Sequence, residues 1–241
     1  MGISIKWIGQ NGFILSFGET KICVDPYLSD SVNQAEGLER LVPIPLLPQN
    51  LQVDMILCTH DHLDHCDPET LSVTDRNHTL YLGPDSCMQK FVSIGIPLSQ
   101  TRRLNRQDRI DCKDLSIYGV YSKHTDDSIG LVFEYEDQVI YLTGDTEYDK
   151  QLLDIGDFQP DLIIGCINGK WGNMTAKEAA LLGKELKVKG FIPCHYGMFQ
   201  ENTTEPKQLE AELKDTGIAY LEPLLNEELT IKTGRKNNGK N

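Results

Sequence analysis

Residues 60–65 read His60-Asp61-His62-Leu63-Asp64-His65, three imidazoles and two carboxylates in six consecutive positions. The chain has only six histidines and half of them fall here, a concentration that chance in a polar loop explains poorly. Neutral imidazole and carboxylate are donors that zinc, iron and manganese all accept. His60 and His62 are two apart, so in extended or tightly turned backbone both can face one ion. Asp64 and His65 lie a turn further on and can reach a second. Two such ions would lower the pKa of a shared water to near ~7, supplying hydroxide at neutral pH for attack on a carbonyl or phosphoryl centre.

One cluster rarely completes a metal site, so further donors must come from distant positions. His195 follows the apolar run 191–194, and Asp145 follows the strand-like run 138–143. Gly144 permits a tight turn there, and a carboxylate beside it can bridge two ions. His124 comes shortly after the run 115–121. With the first cluster, these three are expected to be ligands. His78 lies in the polar turn 75–78 and is expected to be solvated. Asn168 and Lys170 follow the buried-strand run 162–167, and Tyr196 adjoins His195. They are candidate substrate contacts, while Trp171 is expected to be a packing residue.

The order of these motifs resembles the metallo-β-lactamase superfamily. HDHLDH is similar to its H-x-H-x-D-H signature, and an isolated His, a Gly-Asp and a His after an apolar strand follow in the same order. The resemblance runs from residue 3 to about 232. It implies an α/β (α+β) fold, an αββα four-layer sandwich of two similar halves with the metals at one edge. It further implies two divalent metal ions, zinc or manganese. His60, His62 and His124 would hold one ion, Asp64, His65 and His195 the other, and Asp145 would bridge. Asp25 would hold a ligand histidine by hydrogen bond.

The segments 59–71, 144–152, 167–180 and 192–206 are closer still to L-ascorbate-6-phosphate lactonase and its relatives. What that implies is a lactonase-like, metal-dependent hydrolase acting on a lactone of a sugar acid phosphate, or on a similar small anionic ester. Asp64 and His195 would be its catalytic residues, with Asp64 orienting the nucleophile and carrying a proton to the leaving group. The loop after Asn168-Gly169 has no cluster of basic residues for such a phosphate. A phosphodiesterase of the same fold is the alternative hydrolase. A non-catalytic metal-binding protein and a diiron redox protein are the alternatives of another class. The diiron class typically has a carboxylate where His62 stands and a flavin-binding domain besides.

The elements that must carry these residues can be read from periodicity and turn chemistry. Short strands are expected at 3–9, 13–18 and 20–25, separated by turn residues such as Asn11-Gly12 and Gly18-Glu19. A long Pro-rich loop, 27–50, is expected to border the site. Strands at 53–59, 79–83, 115–121, 129–136, 138–143, 162–167, 191–195, 218–221 and 228–232 follow. Helices are expected at 68–75, 84–94, 147–154, 175–188 and 206–216. Thr175 with Glu178 three residues on is a capping-box pattern. The expected organisation is one domain over 1–233 and a flexible polar tail over 234–241.

The net charge of −13 weighs against a nucleic-acid partner, which would need a basic face. The N-terminus has no basic-then-apolar signal region and no apolar run is long enough to span a membrane, so a cytoplasmic location is expected. The seven cysteines are scattered without a C-x-x-C pair and read as small buried apolar residues. The expected partner is a small-molecule substrate, and the lactonase resemblance suggests a homo-oligomer.

Overall fold

The computed structural model describes residues 2–75 and 78–231. The first sheet runs in order through β1 (Ile3–Gly9), β2 (Gly12–Phe17), β3 (Thr20–Val24), β4 (Met55–Leu57), β5 (Leu80–Gly83) and β6 (Thr101–Arg103). The second runs through β7 (Arg109–Cys112), β8 (Leu115–Tyr121), β9 (Ile129–Tyr135), β10 (Gln138–Leu142), β11 (Leu162–Cys166), β12 (Gly190–Cys194) and β13 (Ala219–Tyr220). The last strand, β14 (Glu228–Ile231), returns to pair with β1.

Both sheets start antiparallel and finish parallel. β1, β2 and β3 form a meander, then β3 to β6 run parallel. β7 to β10 form a meander, then β10 to β13 run parallel. The sequence follows this division. In β1, Ile3, Ile5 and Trp7 are buried while Ser4 and Lys6 are half-buried on the other face. The inner parallel strands β11 and β12 are buried at every position, as expected of strands covered on both sides.

The inner faces of the two sheets share one core. Leu15, Phe17, Ile117 and Phe133 all belong to it, and the Phe17 and Phe133 rings stack with centroids 5.4 Å apart. Outside the first sheet lie α2 (Pro68–Val73) and α3 (Asp85–Ser93), with Leu71, Tyr81, Cys87 and Phe91 forming a second core beneath them. α1 (Ser31–Glu36) instead packs Val32 with Tyr27, Met198 and Phe199. Outside the second sheet lie α4 (Ala176–Leu186) and α5 (Lys207–Leu213). α4 opens with the expected capping box: Glu178 N–H donates to Thr175 Oγ1, and the Glu178 carboxylate accepts from Thr175 N–H. Helices, sheet, sheet, helices is the four-layer sandwich that the sequence implied.

Several elements differ from expectation. The segment 27–50 is not a bare loop, since it contains α1 and a 3-10 turn at Pro48–Asn50. The helix expected at 147–154 is a 3-10 helix at Lys150–Phe158. The strand expected at 53–59 is shorter, Met55–Leu57, because the chain leaves the sheet to begin the histidine loop. β6 and β7 were not expected; they are short, and most of their side chains are exposed or half-buried, so pairing rather than patterning defines them. The tail expected at 234–241 lies outside the described residues. Among the described residues, no helix is long and apolar enough to cross a membrane.

Candidate metal centre

Four strand ends deliver the expected ligands to one place. β4 runs into Thr59 and His60, β8 leads to His124, β10 to Asp145 and β12 to His195. The first belongs to one sheet and the other three to its neighbour. The turn after β10 needs Gly144: its φ is +61°, and a Cβ there would stand 2.8 Å from the Ile129 carbonyl oxygen. Three non-glycine residues around the centre also adopt left-handed backbone, Gln10 (φ +52°), Asp25 (+43°) and His195 (+59°). Such conformations cost energy and persist where the surroundings over-determine them.

Three overlapping groups of donor atoms result: His60, His62 and His124; His60, His65 and Asp145; Asp64, His65 and His195. Within each, the donor atoms lie within 4.8 Å of one another. Nε2 of His124 is 3.2 Å from Nδ1 of His62. Asp145 lies between the groups, with Oδ1 3.4 Å from His65 Nε2 and Oδ2 3.0 Å from His195 Nε2 and 3.8 Å from His124 Nε2. Oδ2 of Asp64 is 3.5 Å from His195 Nε2 and 3.6 Å from His65 Nε2. His60 Nε2, His65 Nε2 and Asp145 Oδ1 are buried and have no hydrogen-bond partner. Buried polar atoms are rarely left so. Orphaned donors of imidazole and carboxylate type, converging on shared space, fit divalent cations.

Asp25 is wholly buried and accepts hydrogen bonds from the Thr59 N–H, the Thr59 hydroxyl and Asn11 Nδ2, at 2.7, 2.7 and 2.5 Å. It also lies 2.8 Å from Nδ1 of His65, which leaves His65 Nε2 facing the other donors. His124 Nδ1 contacts the Gly172 carbonyl oxygen at 3.1 Å, and Asn173 Nδ2 donates to Asp145 Oδ2 at 2.9 Å. Asn11, Asn173 and the fully buried Gln10 were not singled out from sequence. Asn11-Gly12 reads there only as turn residues between two strands, and amides carry no metal-ligand spacing.

The electrostatics are those of a cluster built for added positive charge. Burial acts to raise Asp64 and Asp145, but His65 and His195 outweigh it and hold both carboxyls well below the usual range. Burial likewise acts to lower His65 and His195. The surrounding carboxylates outweigh it, lifting His65 well up and His195 to about 9. His60 is pushed well down, by burial first and then by His65. A cation entering the cluster would take the place of any proton on the His65 and His195 nitrogens that face it.

Five of the donors, His62, Asp64, His124, Asp145 and His195, line a cavity of about 350 Å³. Val32, Leu38, Leu63, Trp171 and Phe199 make its apolar wall; Glu36, Asp61 and Asn202 are its other polar residues apart from the cluster itself. Among the described residues, no lysine or arginine lines it. The expected substrate contacts do not reach this wall. Lys170 Nζ donates to the Glu201 carbonyl oxygen at 2.8 Å, and Asn168 Nδ2 donates to Asn202 Oδ1 at 2.6 Å. Tyr196 is buried with its ring stacked on Trp7, centroids 4.9 Å apart. Trp171, expected to pack, is 57% exposed and lines the cavity, on backbone with φ +52°.

A family model for the beta-lactamase superfamily domain matches residues 4–195. The chain belongs to the metallo-β-lactamase superfamily. It is accordingly a metal-dependent hydrolase of this fold. A UPF0173 metal-dependent hydrolase of Pyrobaculum islandicum is 27% identical over 218 residues, covering 88% of this chain and 92% of that one. The Escherichia coli protein named "Probable L-ascorbate-6-phosphate lactonase UlaG" is 23% identical over 267 residues, covering 89% of this chain and 75% of that one. An isothiocyanate hydrolase from Delia radicum gut bacteria superposes with a TM-score of 0.76 at 20% identity, covering 94% of this chain and 98% of that one.

Proposed function

We propose that the chain hydrolyses a small lactone or comparable ester, using two divalent ions held at the cavity floor. The convergence of seven donor residues with orphaned buried atoms at that floor carries this reading. His60, His62 and His124 would hold one ion, Asp64, His65 and His195 the other, with Asp145 shared. Ions held there would supply hydroxide at neutral pH by lowering the pKa of a water. Asp64, one of the proposed ligands that line the cavity, would orient the nucleophile and carry a proton to the leaving group. An ion held by Asp64 and His195 would keep that carboxylate charged until the proton transfer. The apolar wall of Trp171, Phe199 and Leu63 seats the substrate and excludes bulk water.

The cavity lining favours an uncharged substrate over a sugar acid phosphate. Away from the ions, a remote phosphate on the substrate would meet Glu36 and Asp61 with no lysine or arginine to receive it. A phosphodiester held at the ions would draw its positive charge from them, so a phosphodiesterase stays the alternative hydrolase. The apolar wall also supports a second reading, hydrolysis of a neutral electrophile such as an isothiocyanate, the activity named for one structural neighbour.

The test uses protein loaded with Zn²⁺ or Mn²⁺ against a neutral lactone, a phosphorylated sugar lactone, benzyl isothiocyanate and bis(4-nitrophenyl) phosphate. Metal-dependent turnover of a neutral substrate is expected, and His60→Ala and Asp145→Ala should abolish it and reduce bound metal while circular dichroism is unchanged. Full activity in either variant would overturn the assignment. Two bound ions with no turnover across the panel would favour a non-catalytic metal-binding protein.

A further inference from the structure

We propose that Gln10 is a metal ligand, its carboxamide oxygen completing the Asp64–His65–His195 half of the centre. The inference rests on the metal-binding reading of that centre. Gln10 forms the turn between β1 and β2 and is wholly buried, with φ +52°. Its main-chain carbonyl accepts from the Trp7 indole N–H at 3.0 Å and from the His195 N–H at 2.9 Å. The residue is thereby tied to the loop that carries His195.

The side chain then has one direction left. Nε2 of Gln10 stands 2.7 Å from Asp64 Oδ2 and 3.2 Å from His195 Nε2, while Oε1 is buried without a partner. Those two neighbours are the atoms that approach each other and His65 within the third donor group. One end of the amide therefore occupies the space on which the donors converge. An NH₂ group cannot face a cation. The two ends of a carboxamide are nearly the same size, and a half-turn about the last bond exchanges them. The NH₂ end donates to Asp64 here, and the half-turn would bring Oε1 to a cation on the same site.

Such a ligand makes the two halves chemically unequal. One offers three imidazoles from His60, His62 and His124. The other offers two imidazoles, the Asp64 carboxylate and an amide oxygen. The oxygen-richer half suits a harder ion such as Mn²⁺, and the imidazole half suits Zn²⁺.

The test titrates metal-free wild type, Gln10→Met and Gln10→Glu with Mn²⁺ and with Zn²⁺, reading affinities by calorimetry and ions per chain by elemental analysis. Met keeps the length and removes the oxygen; Glu keeps an oxygen donor. Gln10→Met should bind the second ion roughly tenfold or more weakly, Mn²⁺ suffering more than Zn²⁺, and Gln10→Glu should restore or exceed wild-type affinity. In the Co²⁺-loaded protein, Gln10→Met should strengthen the visible absorption, as loss of a ligand does. Unchanged affinities and Co²⁺ spectrum in Gln10→Met would overturn the proposal. So would equal weakening in both variants, the signature of an amide that only donates to Asp64. If wild type bound no second ion, the two-ion reading would fail instead.

Discussion

Asp25 never touches the cavity, yet it decides where His65 points. Its carboxylate collects hydrogen bonds from Asn11 and twice from Thr59, and it lies 2.8 Å from His65 Nδ1. A negative charge behind an imidazole fixes the tautomer and makes the opposite nitrogen a better donor. Asp25→Asn isolates that effect, because asparagine has the same shape and tolerates the left-handed backbone at φ +43°. The variant should fold, and its affinity for the ion at the His65 half should fall by roughly 10–100-fold. Binding titrations of both ions measure this; equal affinities in variant and wild type would show that Asp25 serves only to hold Thr59 and Asn11. Asp25 entered the sequence reading through resemblance alone, since an aspartate opening a Pro turn looks ordinary. Gln10 was not singled out, because its contact with Asp64 spans 54 positions and exists only once β1, the histidine loop and β12 are assembled.

At the scale of elements, the segment between β3 and β4 roofs the cavity, and Arg40 holds it in place. The guanidinium lies 4.6 Å from the Tyr27 ring centroid and donates to the carbonyl oxygens of Tyr27, Ser29 and Val42. Arg40 also forms a bridge to Phe199, and Leu41 N–H donates to Met198 O at 2.8 Å. The segment brings Val32, Glu36 and Leu38 to the cavity without contributing to the metal cluster. Arg40→Ala should therefore raise KM roughly tenfold, about 1.4 kcal/mol, with kcat and metal content near wild type. A fall in kcat at unchanged KM would contradict a roofing role. The sequence pattern marked this stretch as functional from its length and prolines but not as helical. α1 spans six residues, Ser31–Glu36, with only Ser31 and Val32 buried, too short for an apolar period to show. The ligand-bearing strand ends were legible for the opposite reason: continuous apolar runs stop abruptly at His60, Asp145 and His195.

The whole molecule explains why the ligands come from both sheets. Each sheet is a meander that continues as parallel strands, and the two halves meet with their inner faces packed through Phe17 and Phe133. The β4 loop of the first half supplies His60, His62, Asp64 and His65, while the second half supplies His124, Asp145 and His195. Any ion bound by these residues is thus a cross-link between halves, made only in the folded state, and its binding free energy adds to stability. An ion at about a thousand times its dissociation constant contributes roughly 4 kcal/mol. In a chain of this length each kcal/mol moves Tm by about 2–4 °C. If two ions bind as proposed, stripping them with a chelator should lower Tm by about 15 °C or more, and readdition should restore it. His60→Ala from the first half and His124→Ala from the second should each shrink that metal-dependent increment, although the two residues belong to different sheets. A Tm indifferent to chelation in a protein that demonstrably binds two ions would mean that the unfolded chain binds them as tightly as the folded one, and the cross-link between halves would be refuted.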